Sequence, residues 1–141
     1  MKLFLACDHA AFEAKEALRA ALSAEHDLTD LGTHSLDSVH YPLYAQKLAE
    51  AVLAHPGSRG ILLCGSGIGV SIAANRYKGI RAALCRDVDD AQMCRRHNDA
   101  NVLCLAGRKS SVAEITQMAR AFLATAFEGG RHQERVQLID R

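Results

Sequence analysis

One short stretch of the chain combines a reactive side chain with a loop that could hold an anion. The stretch CGSGIG, at 64–69, follows an apolar run and carries glycine at every second position after its cysteine. Without side chains at Gly65, Gly67 and Gly69, backbone N–H groups can approach a ligand closely at the positive end of a following helix. A cysteine beside a helix N-terminus is also more easily ionised. The alternative is that the glycines only let a helix pack tightly on a strand.

Two reactions suit a thiolate that lies beside an oxyanion-binding loop. In acyl transfer Cys64 would be the nucleophile, and a histidine would have to lie within hydrogen-bonding reach of its sulfur. In proton abstraction next to a carbonyl, Cys64 would be the base and the loop amides would hold the developing enediolate. Spacing along the chain does not distinguish these two reactions.

Further polar residues recur where apolar runs or helical patterns end. Asp8 and His9 follow the first apolar run, and Asp8 is also a suitable cap for the helix that comes next. His97 and Asn98 end a helical pattern, where a histidine cation is also favoured by the helix dipole. Guanidinium groups are well suited to clamping a phosphate, and the candidates are Arg108, Arg131 and Arg135.

These residues must be positioned by apolar segments that alternate with helical patterns. The predicted strands are 3–7, 27–31, 60–65, 80–85 and 102–107. The predicted helices are 11–23, 43–54, 68–75, 88–98 and 110–127. Pro42 is predicted to open the second of them, and Ser111 and Glu114 to form a capping box in the last. Strands that alternate with helices predict an α/β fold, a three-layer α/β/α Rossmann-like sandwich with a five-stranded parallel sheet. Ligands of such sheets bind at the carboxyl ends of the strands, where the thiol, the acid, the imidazole and Arg108 are predicted to meet.

Composition narrows the class of protein. The chain has 141 residues, of which 49% are hydrophobic and 23% charged, and these values are typical of a globular protein. A formal charge of +1 argues against a nucleic-acid surface, and no apolar run is long enough for a membrane span. Acidic residues soon follow the first apolar run, so no signal peptide is predicted. Five cysteines without a CxxC pair indicate reduced thiols in a cytoplasm and no zinc site.

The end of the chain differs from the rest. Residues 1–141 are predicted to form a single domain, and 128–141 to form a polar tail that begins where Gly129 and Gly130 break the last helix. This tail could be solvated, or it could reach a ligand or another subunit.

Several segments together resemble one known family. They are DHAAF (8–12), GTHSLDSVHYP (32–42), CGSGIGVSIAANRYKGIRAALC (64–85), RRHNDANVLCLAGR (95–108) and GGRHQER (129–135). In order and spacing they resemble the B-type ribose-5-phosphate isomerases of the ribose/galactose sugar-phosphate isomerase family. The resemblance runs from the first predicted strand to the tail.

The resemblance implies an aldose–ketose isomerase of sugar phosphates that uses no metal and no cofactor. It implies that Cys64 moves a proton between C1 and C2, that Ser66 lies near the sugar oxygens and that His97 opens the furanose ring. The implied substrate-binding residues are Asp8, His9, Tyr41, Gly65, Ser66, Gly67, Ile68, Gly69, Asn98, Arg108, Arg131 and Arg135. Within this set, the backbone of 65–69 would hold the enediolate and the three arginines would hold the phosphate.

The resemblance also implies a homodimer or homotetramer whose active sites lie at a subunit interface. In that arrangement the His97 segment faces the Cys64 loop of the partner subunit.

Two positions depart from the family pattern: Ala11 stands where glycine is common, and His40 where an acid often precedes Tyr41-Pro42. Ribose 5-phosphate is the expected substrate. One alternative is a six-carbon substrate, such as allose 6-phosphate or galactose 6-phosphate. Two further alternatives are a non-catalytic phosphosugar-binding module and a cysteine hydrolase.

Overall fold

A five-stranded parallel sheet forms the centre of the fold in the computed structural model, which describes all of residues 1–141. The strands are β1 (Lys2–Cys7), β2 (Asp27–Asp30), β3 (Arg59–Cys64), β4 (Ala82–Leu84) and β5 (Val102–Ala106). Their order in the sheet is β2-β1-β3-β5-β4, and every neighbouring pair is parallel. The predicted α/β fold with a five-stranded parallel sheet is therefore confirmed.

Six α-helices connect and follow the strands. They are α1 (Phe12–Leu22), α2 (Tyr41–Ala54), α3 (Ile68–Ala74), α4 (Val88–Asn98), α5 (Val112–Ala124) and α6 (Arg131–Gln137), and a 3₁₀ turn at His9–Ala11 precedes α1. Local signals in the sequence account for several helix starts. The predicted capping box of α5 is present: Glu114 N–H donates to Ser111 Oγ at 3.2 Å, and Ser111 N–H donates to Glu114 Oε1 at 2.9 Å.

The helices cover both faces of the sheet, because alternate side chains of each buried strand enter different cores. Leu3 and Leu5 of β1 belong to the core beneath α1, α4 and α5. Phe4 and Ala6 belong to the core beneath α2 and α3. All four are buried. This continuous burial on two faces explains why the strand sequences are apolar throughout, and it confirms the three-layer sandwich.

The sheet order places a crevice between β1 and β3. From these two central strands the chain proceeds outward in opposite directions, to β2 on one side and to β5 and β4 on the other. Such a reversal opens a ligand crevice at the carboxyl ends of the two strands. Asp8 follows β1 at this point and Cys64 ends β3, so the topology brings the two sequence-predicted segments to one edge.

The largest differences from the predicted elements concern the fourth strand, the last long helix and the tail. The fourth strand is shorter than 80–85, because Ile80 N–H closes a turn onto the Tyr77 carbonyl and Arg81 N–H donates to Asn101 Oδ1 at 2.8 Å. The last long helix ends at Ala124 instead of residue 127, since Thr125 is extended. The polar tail at 128–141 contains a helix that was not predicted. Gly129 and Gly130 do break the chain direction with positive φ angles, but α6 follows them.

A fully buried lysine joins α1 to the second strand. Lys15 is 0% exposed, and its Nζ lies 2.7 Å from Asp30 Oδ2 and 2.6 Å from the Thr33 carbonyl oxygen. Asp30 is also near Arg19, whose Nε lies 3.8 Å away. A charge buried this completely is tolerated only with such partners.

Replacing Lys15 by methionine is therefore expected to lower the free energy of unfolding by about 3 kcal/mol, because it leaves a largely buried carboxylate without its main partner. The measurement is urea unfolding followed by circular dichroism. Lys2→Met is the matched control, since its ion pair with Asp27 is exposed and 3.6 Å long. The control should lose less than about 1 kcal/mol. Equal losses in the two variants would contradict the assigned role of Lys15.

Candidate active site

Cys64, the last residue of β3, lies at the base of the glycine loop. The residue is only 5% exposed, and its Sγ accepts a hydrogen bond from the Gly67 N–H at 3.2 Å. This bond places a backbone donor directly beside the sulfur. The loop therefore curls around the sulfur before α3 begins at Ile68.

Packing requires glycine at two positions of the loop. Gly67 has φ of 75°, and a Cβ there would lie 2.6 Å from Leu84 Cδ1 and 3.0 Å from the Leu105 carbonyl carbon. A Cβ on Gly69 would overlap the ring of Tyr41. The predicted packing of a helix on a strand is thus correct for Gly67, whereas Gly69 makes room for a side chain of α2. Neither contact excludes ligand binding by the loop backbone.

The loop amides divide into two groups. Gly67 N–H donates to the Cys64 sulfur, and Ile68 N–H donates to Ser66 Oγ at 3.2 Å. The N–H groups of Gly65, Ser66 and Gly69 have no acceptor within the chain. The open donors are therefore these three, a narrower set than the whole backbone of 65–69 that the sequence suggested.

Asp8 and His9 each accept a hydrogen bond from a backbone N–H. Asp8 Oδ1 accepts from the Ala10 N–H at 3.0 Å, so Asp8 caps the 3₁₀ turn that leads into α1. The predicted cap of α1 itself is wrong, because α1 begins after Ala11, which makes no side-chain bond to the helix. His9 Nδ1 accepts from the Val39 N–H at 3.1 Å. Because Nδ1 is an acceptor, the neutral ring carries its hydrogen on Nε2, and this atom is a donor. The same bond ties the loop between β2 and α2 to the crevice.

An open cavity of about 570 Å³ joins these groups. It is lined by Asp8, His9, Ala10, Tyr41, Cys64, Gly65, Ser66, Gly69, Arg108 and Lys109. Gly67 and Ile68, also predicted to bind substrate, do not line it. Ala10 and Lys109 line it without having been predicted. Lys109 could have been found from its position, since it follows Arg108 at the carboxyl end of β5, where ligands bind.

His97 lies outside this cavity, in a cluster of its own. Its Nε2 is 3.6 Å from Glu128 Oε1, and its ring stacks on His132 with centroids 4.3 Å apart. His132 Nε2 lies 3.8 Å from the same carboxylate. Burial lowers the pKa of His132, and positive charge at His97 and Arg131 lowers it further. Both imidazoles therefore share one carboxylate.

The same three side chains are close enough together to be considered as metal ligands. The candidate ligand atoms of His97, Glu128 and His132 lie within 4.8 Å of one another, and zinc accepts such a donor set. However, the rings are only 15° from parallel, and two stacked planes cannot both contain one ion. The observed arrangement suits a shared carboxylate better than a metal centre.

The remaining predicted residues also lie apart from Cys64 within one chain. Asn98 is exposed at the end of α4. Arg131 and Arg135 are exposed on α6, four residues apart and so on one face, and neither forms an ion pair. One chain thus provides two separate groups of candidate residues. No helix of the fold combines the length and apolar character needed to cross a membrane.

Comparison with known proteins identifies the family. Residues 3–139 match the pattern of the family described as Ribose/Galactose Isomerase. The chain belongs to this family. Ribose-5-phosphate isomerase B of Escherichia coli is 41% identical over 139 residues, covering 98% of this chain and 93% of that protein. A relative from Bacillus subtilis, 39% identical with 99% and 95% coverage, is named only as a sugar phosphate isomerase.

Solved structures agree with this assignment. A ribose 5-phosphate isomerase from Thermotoga maritima is 48% identical, with a TM-score of 0.96 and coverage of 99% of this chain and 97% of that one. Ribose-5-phosphate isomerase B from Clostridium thermocellum is 40% identical, with a TM-score of 0.97 and coverage of 99% and 95%. The resemblance inferred from the sequence is confirmed, and membership of the ribose/galactose isomerases supports isomerisation of a sugar phosphate.

An aldose–ketose isomerase needs a base, donors for an oxyanion and cations for the phosphate. In this ribose/galactose isomerase the Cys64 cavity contains a sulfur, open N–H groups and the cations Arg108 and Lys109. All three kinds of group lie at the crevice that the sheet topology creates.

Proposed function

We propose that this isomerase interconverts ribose 5-phosphate and ribulose 5-phosphate by proton transfer through Cys64, without a metal or cofactor. The observation that carries the proposal is that the Cys64 sulfur accepts the Gly67 N–H in the same cavity where neighbouring amides remain open. The pentose substrate is supported by the names of the Escherichia coli and Thermotoga maritima relatives.

In the proposed reaction, the Cys64 thiolate removes the proton from C2 of the open-chain aldose. The electron pair of that C–H bond forms a C1–C2 double bond, and the carbonyl oxygen on C1 becomes an oxyanion. The thiol then returns its proton to C1, while the O2 hydroxyl proton passes to O1 and the C2 carbonyl forms. Ser66 is proposed to relay this second proton. Its Oγ accepts from the Ile68 N–H, so its own hydrogen is available for donation.

The open amides explain how a thiolate could act on such a weak acid. A C–H next to a carbonyl loses its proton only if the resulting oxyanion is met by donors that are already in place. The N–H groups of Gly65, Ser66 and Gly69 are proposed as these donors. Losing one donor of this kind typically costs on the order of 10²-fold to 10³-fold in rate.

We also propose that the phosphate and the ring oxygen are held across a homodimer interface, which a tetramer would retain. His97 of the partner subunit would open the furanose ring, beside Asn98 of the partner subunit. Arg131 and Arg135, on the segment 128–141, would hold the phosphate together with Arg108. Three observations support this. The residues His97, Asn98, Arg131 and Arg135 lie outside the cavity of their own chain, and the two α6 arginines form no ion pair. Ile68 and Ile72 are half-exposed on α3, next to the glycine loop.

The substrate is tested by incubating the protein with ribose 5-phosphate in heavy water and following the products by NMR. Ketose formation with deuterium at the transferred carbon is expected. Allose 6-phosphate and galactose 6-phosphate are run in parallel. Turnover of a six-carbon phosphate alone would overturn the pentose assignment, and binding without exchange for every sugar would indicate a non-catalytic module.

His97→Ala is expected to slow turnover of ribose 5-phosphate on the order of 10²-fold, because ring opening loses its acid and base. Erythrose 4-phosphate is the control substrate: its O4 carries the phosphate, so it cannot close a furanose ring. Its isomerisation should change only a few-fold. Equal losses on the two substrates would remove the ring-opening role of His97.

Mixing inactive variants tests whether the site is shared between subunits. If Cys64 and His97 of one site come from different chains, a Cys64→Ala/His97→Ala heterodimer contains one intact site and one doubly defective site. Random exchange should then restore about one quarter of wild-type activity. A site contained in one chain gives no recovery, even when native mass spectrometry shows that mixed dimers have formed.

A further inference from the structure

A second cavity, of about 440 Å³, lies at the opposite edge of the sheet. Its wall includes Val52, Pro56, Arg59, Arg81, Arg95 and Asp99. Arg59 begins β3 and Cys64 ends it, so about 17 Å of extended strand separate this cavity from the candidate active site. The two cavities share no residue.

The charges in this second cavity do not balance. Its wall carries three guanidinium groups and one carboxylate, which leaves an excess of two positive charges. Asp99 already accepts from Arg95 Nη1 at 2.9 Å and from Arg81 Nη2 at 3.3 Å. Arg59 has no carboxylate partner. Its Nη1 donates to the carbonyls of Phe122 and Leu123, at 2.7 and 3.1 Å.

Capping of α5 explains part of this arrangement. Arg59 binds the last carbonyls of α5, and Arg95 Nε donates to the Thr125 carbonyl at 3.1 Å. Cations are favourable at a helix C-terminus. Capping does not use every donor, however. Nε and Nη2 of Arg59, Nη2 of Arg95 and Nη1 of Arg81 have no acceptor in the chain, and none of them is sealed from solvent.

The electrostatics of Arg59 favour an anion in this cavity. Burial, followed by the charge of Arg95, lowers the pKa of Arg59 to about 10. The guanidinium is still charged at neutral pH. An anion placed between these groups would relieve their repulsion and supply acceptors for the unused donors.

We propose that this second cavity binds a phosphate dianion, either free or as the head of a small phosphate monoester. Donors from three separate arginines suit the several oxygens of a tetrahedral phosphate better than a planar carboxylate. The volume exceeds that of the phosphate alone, and Val52 and Pro56 supply an apolar wall for a short carbon skeleton. This site is independent of the isomerase reaction proposed above.

The test follows backbone amide resonances of the ¹⁵N-labelled protein during titration with inorganic phosphate and with glycerol 3-phosphate. The reporters are Gly57, Ser58 and Asn101 in the wall of the second cavity, and Gly65 and Gly69 report separately on the active site. Saturable shifts of the first group are expected. Tighter binding of glycerol 3-phosphate identifies a monoester site, and equal or tighter binding of inorganic phosphate identifies a site for the free ion.

Arg59→Gln should weaken these shifts at least tenfold, and Arg59→Lys should weaken them less. Arg120→Gln is the matched control, because Arg120 is exposed and pairs with Glu25 away from the cavity. It should leave both affinities unchanged. The proposal fails if the Ser58 and Asn101 amides do not move saturably, or if Arg59→Gln and Arg59→Lys both bind as the wild type does. Neither outcome depends on isomerase activity, so this test can fail without contradicting the proposed isomerase reaction.

Discussion

Cys64→Ala is expected to reduce isomerisation of ribose 5-phosphate, and deuterium exchange at C2 with it, on the order of 10³-fold. The reason is that the sulfur is the proposed proton carrier, and no other side chain in the cavity occupies its place between the loop amides. The affinity for the sugar phosphate should change only a few-fold, since the proposed phosphate-binding residues are the arginines and not Cys64. The measurements are turnover and exchange by NMR, with affinity by calorimetry.

Cys104→Ala is the matched control for this prediction. Cys104 is also a buried cysteine, 0% exposed on β5, but it does not line the cavity. It should lose some stability and keep its turnover. Exchange near the wild-type rate in Cys64→Ala, with the control behaving normally, would show that another group carries the proton.

Gly67→Ala is expected to lower the free energy of unfolding by about 4 kcal/mol. Alanine at φ of 75° is strained, and its Cβ would press against Leu84 and the Leu105 backbone. The displaced loop should also withdraw the N–H that binds the Cys64 sulfur, so turnover falls together with stability. Urea unfolding and steady-state kinetics measure the two effects.

Gly57→Ala separates backbone strain from crowding. Gly57 also has a positive φ, of 87°, but a Cβ there meets nothing within 4 Å. The control should therefore lose only about 1 kcal/mol and retain its activity. If Gly67→Ala is no more destabilising than Gly57→Ala, a Cβ at position 67 is accommodated without crowding, and the packing argument for Gly67 is wrong.

The layered fold was predictable because each buried strand is apolar on both faces, as at Leu3 to Cys7 of β1. Helix starts were predictable where a cap was present, as at Ser111. α6 was missed for a physical reason. It is seven residues long and its only buried residue is His132, so it has no apolar stripe to reveal it. The early end of the last long helix was hidden because residues after Ala124 continue the polar and apolar pattern without a breaker until Gly129.

The candidate site was predictable to the extent that strand ends define it. Asp8, His9, Cys64 and Arg108 each follow or end a strand, and they line one cavity. The sequence could not show that Gly67 N–H is directed at the sulfur, because this depends on the positive φ of the loop. The stacking of His97 on His132 was equally hidden, since the two residues belong to different helices.

The near-complete burial of Cys64 has a consequence for covalent inhibitors. With 5% of the residue exposed, an electrophile can reach the sulfur only through the cavity, whose wall includes Tyr41, Gly65 and Arg108. The other four cysteines are buried without a place on this cavity's wall. A small warhead built onto a phosphate-bearing carbon chain would therefore be guided to one thiol by shape and charge, whereas bulky alkylating reagents would be excluded.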